Sequence, residues 1–147
     1  MSPDEKPDRG ECNCHAVRAA ARHITQAYDQ FLAPSGLRTT QFSILAAVKR
    51  KGPMSINGLA AEMAMDRTTL GRNILPLERD GLIRIAPAAS DRRAKELHLT
   101  KAGEQRLQTA SKGWAAAQAR FERTYGAKRA TELRGLLRAL VASEFAP

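Results

Sequence analysis

Residues 65–81, MDRTTLGRNILPLERDG, decide how this chain folds. Asp66 suits a helix N-cap, because its carboxylate can accept from backbone N–H groups that have no partner in a first turn. Leu70, Ile74 and Leu77 recur at helical spacing and make one apolar stripe. On a wheel of about 100° per residue, Thr68, Arg72 and Arg79 fall roughly 160–200° away from it. Gly81 suits the left-handed position that closes many helices. The spacing predicts a helix with a greasy back and a front of hydroxyl and guanidinium groups, which can meet base edges and phosphates. Taken alone, the pattern also describes an ordinary amphipathic surface helix.

Working outward, Ser55 can cap a short helix with Leu59, Ala60 and Met63 facing inward. A tight junction around residues 64–66 then leads into the central helix, the arrangement of a helix-turn-helix. On the other side, Leu82-Ile83-Arg84-Ile85 reads as a strand. Residues 94–99 give a second, with Leu97 and Leu99 alternating against Glu96 and His98. The polar tip between them carries Asp91-Arg92-Arg93, so the expected wing is a two-stranded ribbon. An earlier helix begins near Thr39 or Thr40 and stops before Gly52-Pro53.

The flanks are helical. Residues 1–10 are charged and broken by Pro3, Pro7 and Gly10, as in a flexible tail. From Cys12 to Leu32 the positions Val17, Ala21, Ile24, Tyr28 and Phe31 form a seam of the kind that packs on partner helices. Ala33-Pro34-Ser35-Gly36 ends it. Thr100 can cap a long helix with a stripe of Leu107, Ala110, Trp114, Ala117 and Phe121, broken by Gly126. A last helix carries Leu133, Leu136, Leu137, Leu140 and Val141. The expected fold is mainly α with a small β wing. A tail (1–10) and an N-terminal dimerisation helix (11–36) precede a winged helix-turn-helix (37–100), and C-terminal dimerisation helices (101–147) follow. The outer helices carry more apolar seam than a monomer of 147 residues can hide, so a homodimer is expected; an intramolecular bundle is the competing arrangement.

A net charge of +9 and a pI near 10.3 point to a polyanion, nucleic acid before an anionic membrane. Aromatic residues, at 5%, are too sparse for a base-stacking platform. The Ala-rich terminal helices lack bulky membrane anchors, and no apolar run reaches bilayer length, so a cytoplasmic protein with no membrane partner is expected. Two cysteines make no disulfide framework. A phosphate-cradling glycine loop, an H-E-x-x-H pair and a nucleophile elbow are missing, and His15, His23 and His98 have no acid–base constellation around them. The expectation is that the protein is not an enzyme.

Five blocks, in order and spacing over roughly residues 37–107, resemble the MarR family of bacterial transcription regulators. They are Leu59-Ala60-Ala61-Glu62-Met63; Asp66-Arg67-Thr68-Thr69; Leu77-Glu78-Arg79-Asp80-Gly81-Leu82-Ile83; Asp91-Arg92-Arg93-Ala94; and Leu99-Thr100-Lys101-Ala102-Gly103. The flanking helices agree in pattern only. The resemblance implies a dimeric winged helix-turn-helix protein, usually a repressor, whose affinity for double-stranded DNA is lowered by a small ligand or by oxidation. A two-fold dimer suits a near-palindromic operator. A non-specific nucleoid-associated protein is the alternative, since basic charge alone gives sequence-independent binding.

In this frame Thr68, Arg72 and Asn73 are the base-reading candidates, while Arg67 and Thr69 meet bases or phosphates. Arg93 resembles the family's wing-tip arginine, which enters the minor groove, where a narrow A·T tract concentrates negative potential. Asp91 sits where the family uses a carboxylate to orient that arginine; closing a loop turn is its other reading. Arg92 and Lys95 suit phosphates. Thr39 and Thr40, at a helix start, can offer backbone N–H groups to a phosphate or simply cap their helix. Pro76 removes the bond to the Arg72 carbonyl and is expected to bend the last turn or two.

Three inputs compete for the signal. Cys12 and Cys14 lie at a helix start, where the dipole favours a thiolate, and some family members sense peroxides through a cysteine in this region. With His15 they offer only three metal ligands without paired spacing, so no metal and no cofactor is expected. An aromatic acid is the third, with His15, Arg18 and Arg22 as cations and Phe42 and Trp114 as rings. Core packing for the rings and ion pairs for the arginines are the competing roles.

Overall fold

The computed structural model describes residues 10–147. The tail expected over residues 1–10 therefore lies outside the described residues, apart from Gly10. Helix α1 (Asn13–Leu32) ends in a 3-10 turn at Ala33–Ser35, and Gly36 follows. Next come α2 (Thr39–Lys51), β1 (Met54–Ser55), α3 (Ile56–Glu62) and α4 (Arg67–Arg79). Strands β2 (Ile83–Pro87) and β3 (Lys95–Leu99) precede the long α5 (Lys101–Tyr125) and α6 (Ala127–Ala142). The architecture is mainly α with a small antiparallel wing.

The expected caps are in place. Ser55 Oγ accepts from the Gly58 N–H at 2.9 Å, and Thr100 Oγ1 accepts from the Gly103 N–H at 3.0 Å. Both hydroxyls take up first-turn donors that helix geometry leaves unpaired. Helix α4 ends in a Schellman motif. The Gly81 N–H donates to the Glu78 carbonyl at 3.0 Å and the Leu82 N–H to Leu77 at 2.9 Å, with Gly81 at φ 72°. The same pattern closes α3 through Met65 N–H to Ala60 and Ala64 N–H to Ala61. There the left-handed position is held by Ala64 at φ 51°, a residue that carries the Cβ penalty glycine avoids.

The sheet differs from expectation. It has three strands in the order β1-β3-β2, with Met54 opposite Leu97 and Ile83 opposite Leu99. The sequence reading missed β1 because a two-residue strand has no alternation to read. It forms because β3 has two edges and β2 covers only one.

The core lies beneath the winged unit. Ile44 and Leu45 of α2, Leu59 of α3, Leu70 and Leu77 of α4, and Leu97 of β3 are fully buried. Helix α5 enters along this core through Leu107 and Ala110 and then leaves to pack on α1. Where it crosses, Gly113 passes so close to the end of α1 that a Cβ would lie 2.3 Å from the Phe31 carbonyl oxygen. Beyond the crossing the outer helices are thinly covered. Among the described residues α6 buries only Ala130, and Leu136, Leu140 and Val141 are at least half exposed. An apolar cavity of about 540 Å³ opens between α1, α5 and α6, walled by Ile24, Tyr28, Phe31, Phe121 and Leu133. The chain by itself does not hide the seam.

Candidate nucleic-acid interface

Helix α4 is fixed from behind and open in front. Leu70, Ile74 and Leu77 are at most 3% exposed, and they set the rotation of the helix on the core. At its start Asp66 accepts from the Thr69 N–H and the Thr69 hydroxyl, each at 2.8 Å. These bonds to Thr69 hold the Asp66 carboxyl below the usual range. Arg67, Thr68 and Arg72 are exposed, and their side chains make no hydrogen bond or ion pair among the described residues.

Two neighbours are less available than the sequence suggested. The Thr69 hydroxyl is spent on the cap, and Asn73 Nδ2 donates to the Thr69 carbonyl at 2.9 Å, along its own helix. That bond engages one N–H of the Asn73 amide and fixes its direction; the second N–H and Oδ1 take no part in it. Pro76 lies inside α4, which nevertheless continues to Arg79.

Thr39 and Thr40 divide. Thr39 opens α2, but both its N–H and its hydroxyl donate to Asp29 Oδ1 of α1 at 2.7 Å. Asp29, missed at the sequence level, so occupies the place expected for a phosphate and ties α1 to the first turn of α2. Thr40 is half-buried and lines a small cleft with Arg38, Gln41, Arg72 and Asn73.

The wing folds through backbone bonds. The Ala88 N–H donates to the Ala94 carbonyl at 2.9 Å, closing the tip. Asp91 Oδ1 accepts from the Arg93 backbone N–H at 2.9 Å, so it shapes the turn rather than engaging the guanidinium. Arg92, Arg93 and Lys95 are exposed, with side chains unpaired among the described residues.

The candidate signal residues are not gathered in one place. Phe42 stacks on Trp114 with ring centroids 6.1 Å apart. Phe42 is core, but Trp114 is 41% exposed. The pair forms one wall of a groove of about 640 Å³ that also reaches Lys49, Arg50, Glu62 and Met63. Glu62 bonds Lys51 at 2.5 Å and Arg50 at 2.8 Å, which lowers its pKa. His15, Arg18 and Arg22 lie on the exposed first half of α1 and do not line that groove. Neither arginine is ion-paired among the described residues. Cys12 caps α1, its Sγ accepting from the His15 N–H at 3.4 Å; Cys12 and Cys14 are free thiols on the surface. No helix of the described residues is long and apolar enough to cross a membrane.

Known proteins share this arrangement. The MarR family profile matches residues 35–94. The Mycobacterium tuberculosis transcriptional regulator MosR superposes with a TM-score of 0.78 at 36% identity, over 92% of this chain and 100% of MosR. A second MosR structure, in complex with DNA, gives 0.79 at 39% identity, over 92% of this chain and 100% of that one. The HTH-type transcriptional regulator YwoH of Bacillus subtilis is 29% identical over 94 residues, 64% of this chain and 68% of YwoH. The transcriptional activatory protein BadR of Rhodopseudomonas palustris is 35% identical over 71 residues, 46% of this chain and 41% of BadR. The chain belongs to the MarR family and is a winged-helix transcriptional regulator.

Proposed function

We propose that the protein is a sequence-specific repressor that works in the cytoplasm as a homodimer on a near-palindromic DNA site. One observation carries this reading: α4 presents Arg67, Thr68 and Arg72 unpaired on a helix whose rotation is fixed, beside a wing tip with unpaired Arg92 and Arg93. Arginines held ready in this way can bond guanine edges and phosphates without first breaking internal ion pairs. The likeness to DNA-bound MosR supports the same docking. The open seam of α1, α5 and α6 supports a two-fold partner, since a second copy would cover Leu136, Leu140 and Val141. The domain roles follow: residues 11–36 and 101–147 dimerise, and 37–100 read DNA. Thr40, Arg92 and Lys95 meet phosphates.

The test is selection of bound genomic fragments, then competition of the selected duplex against a scrambled one in moderate salt. The expected result is preference by several orders of magnitude. Equal affinity for both would instead describe a nucleoid protein. A reporter driven from the selected site separates repression from activation.

Arg93→Ala should weaken binding most where the flanks are A·T-rich and should lower the salt slope by about 0.9 per arginine lost. Equal loss on G·C-rich flanks contradicts insertion into the minor groove.

Release has two candidate inputs. An aromatic acid suits the groove beside Trp114, its carboxylate taking Lys49 or Arg50 in exchange for their ion pairs with Glu104 and Glu62; His15, Arg18 and Arg22 join such a site only if the dimer brings the partner's α1 across. Oxidation of Cys12 and Cys14 is the other. The protein with Cys12→Ser and Cys14→Ser should stay on its site under peroxide if the thiols are the sensor; dissociation equal to wild type rules them out.

A further inference from the structure

Helix α4 carries one large apolar side chain that the core does not explain. Leu75 is 66% exposed, whereas Leu70, Ile74 and Leu77 of the same helix are at most 3% exposed. A lone leucine on a surface is ordinary. Its position here is not, because on the helical wheel Leu75 falls with Thr68, Arg72 and Arg79 inside an arc of roughly 60°. It stands at one edge of that arc and, along the helix axis, between Arg72 and Arg79.

We propose that Leu75 is a specificity-determining residue that reads the 5-methyl group of a thymine in the major groove. This rests on the docking of α4 proposed above. The thymine methyl is the apolar feature of the major-groove edges, and apolar side chains contact it in direct readout. Leu75 lies about 4.5 Å further along the helix axis than Arg72, close to the 3.4 Å spacing of stacked base pairs. The guanidinium and the leucine therefore address neighbouring steps, and a thymine is expected within one or two base pairs of the base that Arg72 reads. A second copy of the chain is a poor occupant of this face, because a two-fold contact would oppose Arg72 and Arg79 to themselves.

The experiment is a cycle between protein and DNA. Each thymine in one half of the selected duplex is replaced in turn by deoxyuridine, which removes only the methyl group. Wild type and Leu75→Ala are titrated against every duplex, with the scrambled duplex as reference. At one thymine the replacement should weaken wild type about threefold to tenfold and leave Leu75→Ala unaffected. Replacements that cost both proteins equally at every position overturn the assignment of Leu75. A wild type that does not separate selected from scrambled duplex overturns the docking beneath it instead. Leu75 is exposed, so the variant is expected to melt with wild type, which keeps the comparison one of binding.

Discussion

Arg72→Ala should remove most of the preference for the selected site while leaving the fold intact. The side chain is exposed and unpaired among the described residues, so its loss opens no cavity and strands no charge. The helix beneath it stays anchored by Leu70, Ile74 and Leu77. A guanidinium that bonds guanine O6 and N7 together contributes about 1–3 kcal/mol of discrimination, roughly fivefold to 150-fold. In a symmetric dimer that contribution is lost twice. Binding to scrambled duplex should fall far less, since there the residue supplies one positive charge among many. Competition titrations of the two duplexes give the ratio directly; an unchanged ratio removes Arg72 from the readers.

Gly103→Ala should have the largest effect on stability. A Cβ at this position would lie 2.1 Å from the Leu82 carbonyl oxygen and 2.7 Å from Leu99 Cδ1. The first of these is backbone and cannot rotate away. Thr100 holds the contact shut, donating its hydroxyl to the Gly81 carbonyl at 2.6 Å, while the Thr100 N–H donates to Leu82 at 3.1 Å. The start of α5 is thereby fixed against the end of α4 and the first residue before β2. Relief requires α5 to shift along the core it shares with Leu107 and Ala110, at a cost of about 3 kcal/mol or more. For a chain of this size the melting temperature should fall by on the order of 10 °C. A melting curve that superposes on wild type contradicts the close approach. Because α5 also leads to the open seam, the variant should lose DNA affinity through weakening of the proposed dimer as well as through unfolding.

The same glycine shows what a sequence can and cannot disclose. Leu99-Thr100-Lys101-Ala102-Gly103 was recognisable as a block, and Thr100 as a cap, from local chemistry alone. That Gly103 has a carbonyl pressed against it depends on a contact with residue 82, which no local pattern carries. Helices α1, α2, α4, α5 and α6 were legible because apolar periodicity and punctuation by Gly, Pro and capping residues agree at each end. Strand β1 was not, since it exists only through its partner.

The candidate site divides in the same way. The outward face of α4 follows from helical geometry, which places Thr68 and Arg72 on it; Leu75 lies on the same wheel, but a leucine judged by residue type alone reads as core. Side-chain bonding is beyond such a reading. Local chemistry left the loop-turn role of Asp91 open as one of two readings, but it does not say that Asn73 bonds back to Thr69 or that Asp29 reaches across from α1 to fill the start of α2. The five candidate ligand contacts share chemical type, which selects for cations and rings but not for proximity. Of these five, only Phe42 and Trp114 meet among the described residues.

A hydroxyl-radical footprint on the selected genomic duplex tests the central claim most directly. Two α4 helices and two wings related by a two-fold axis should protect a discrete site in two symmetric halves, with centres about 10–10.5 base pairs, or a multiple of that, apart. Protection confined to one half, or spread evenly along the fragment without a boundary, would contradict a symmetric pair reading the grooves.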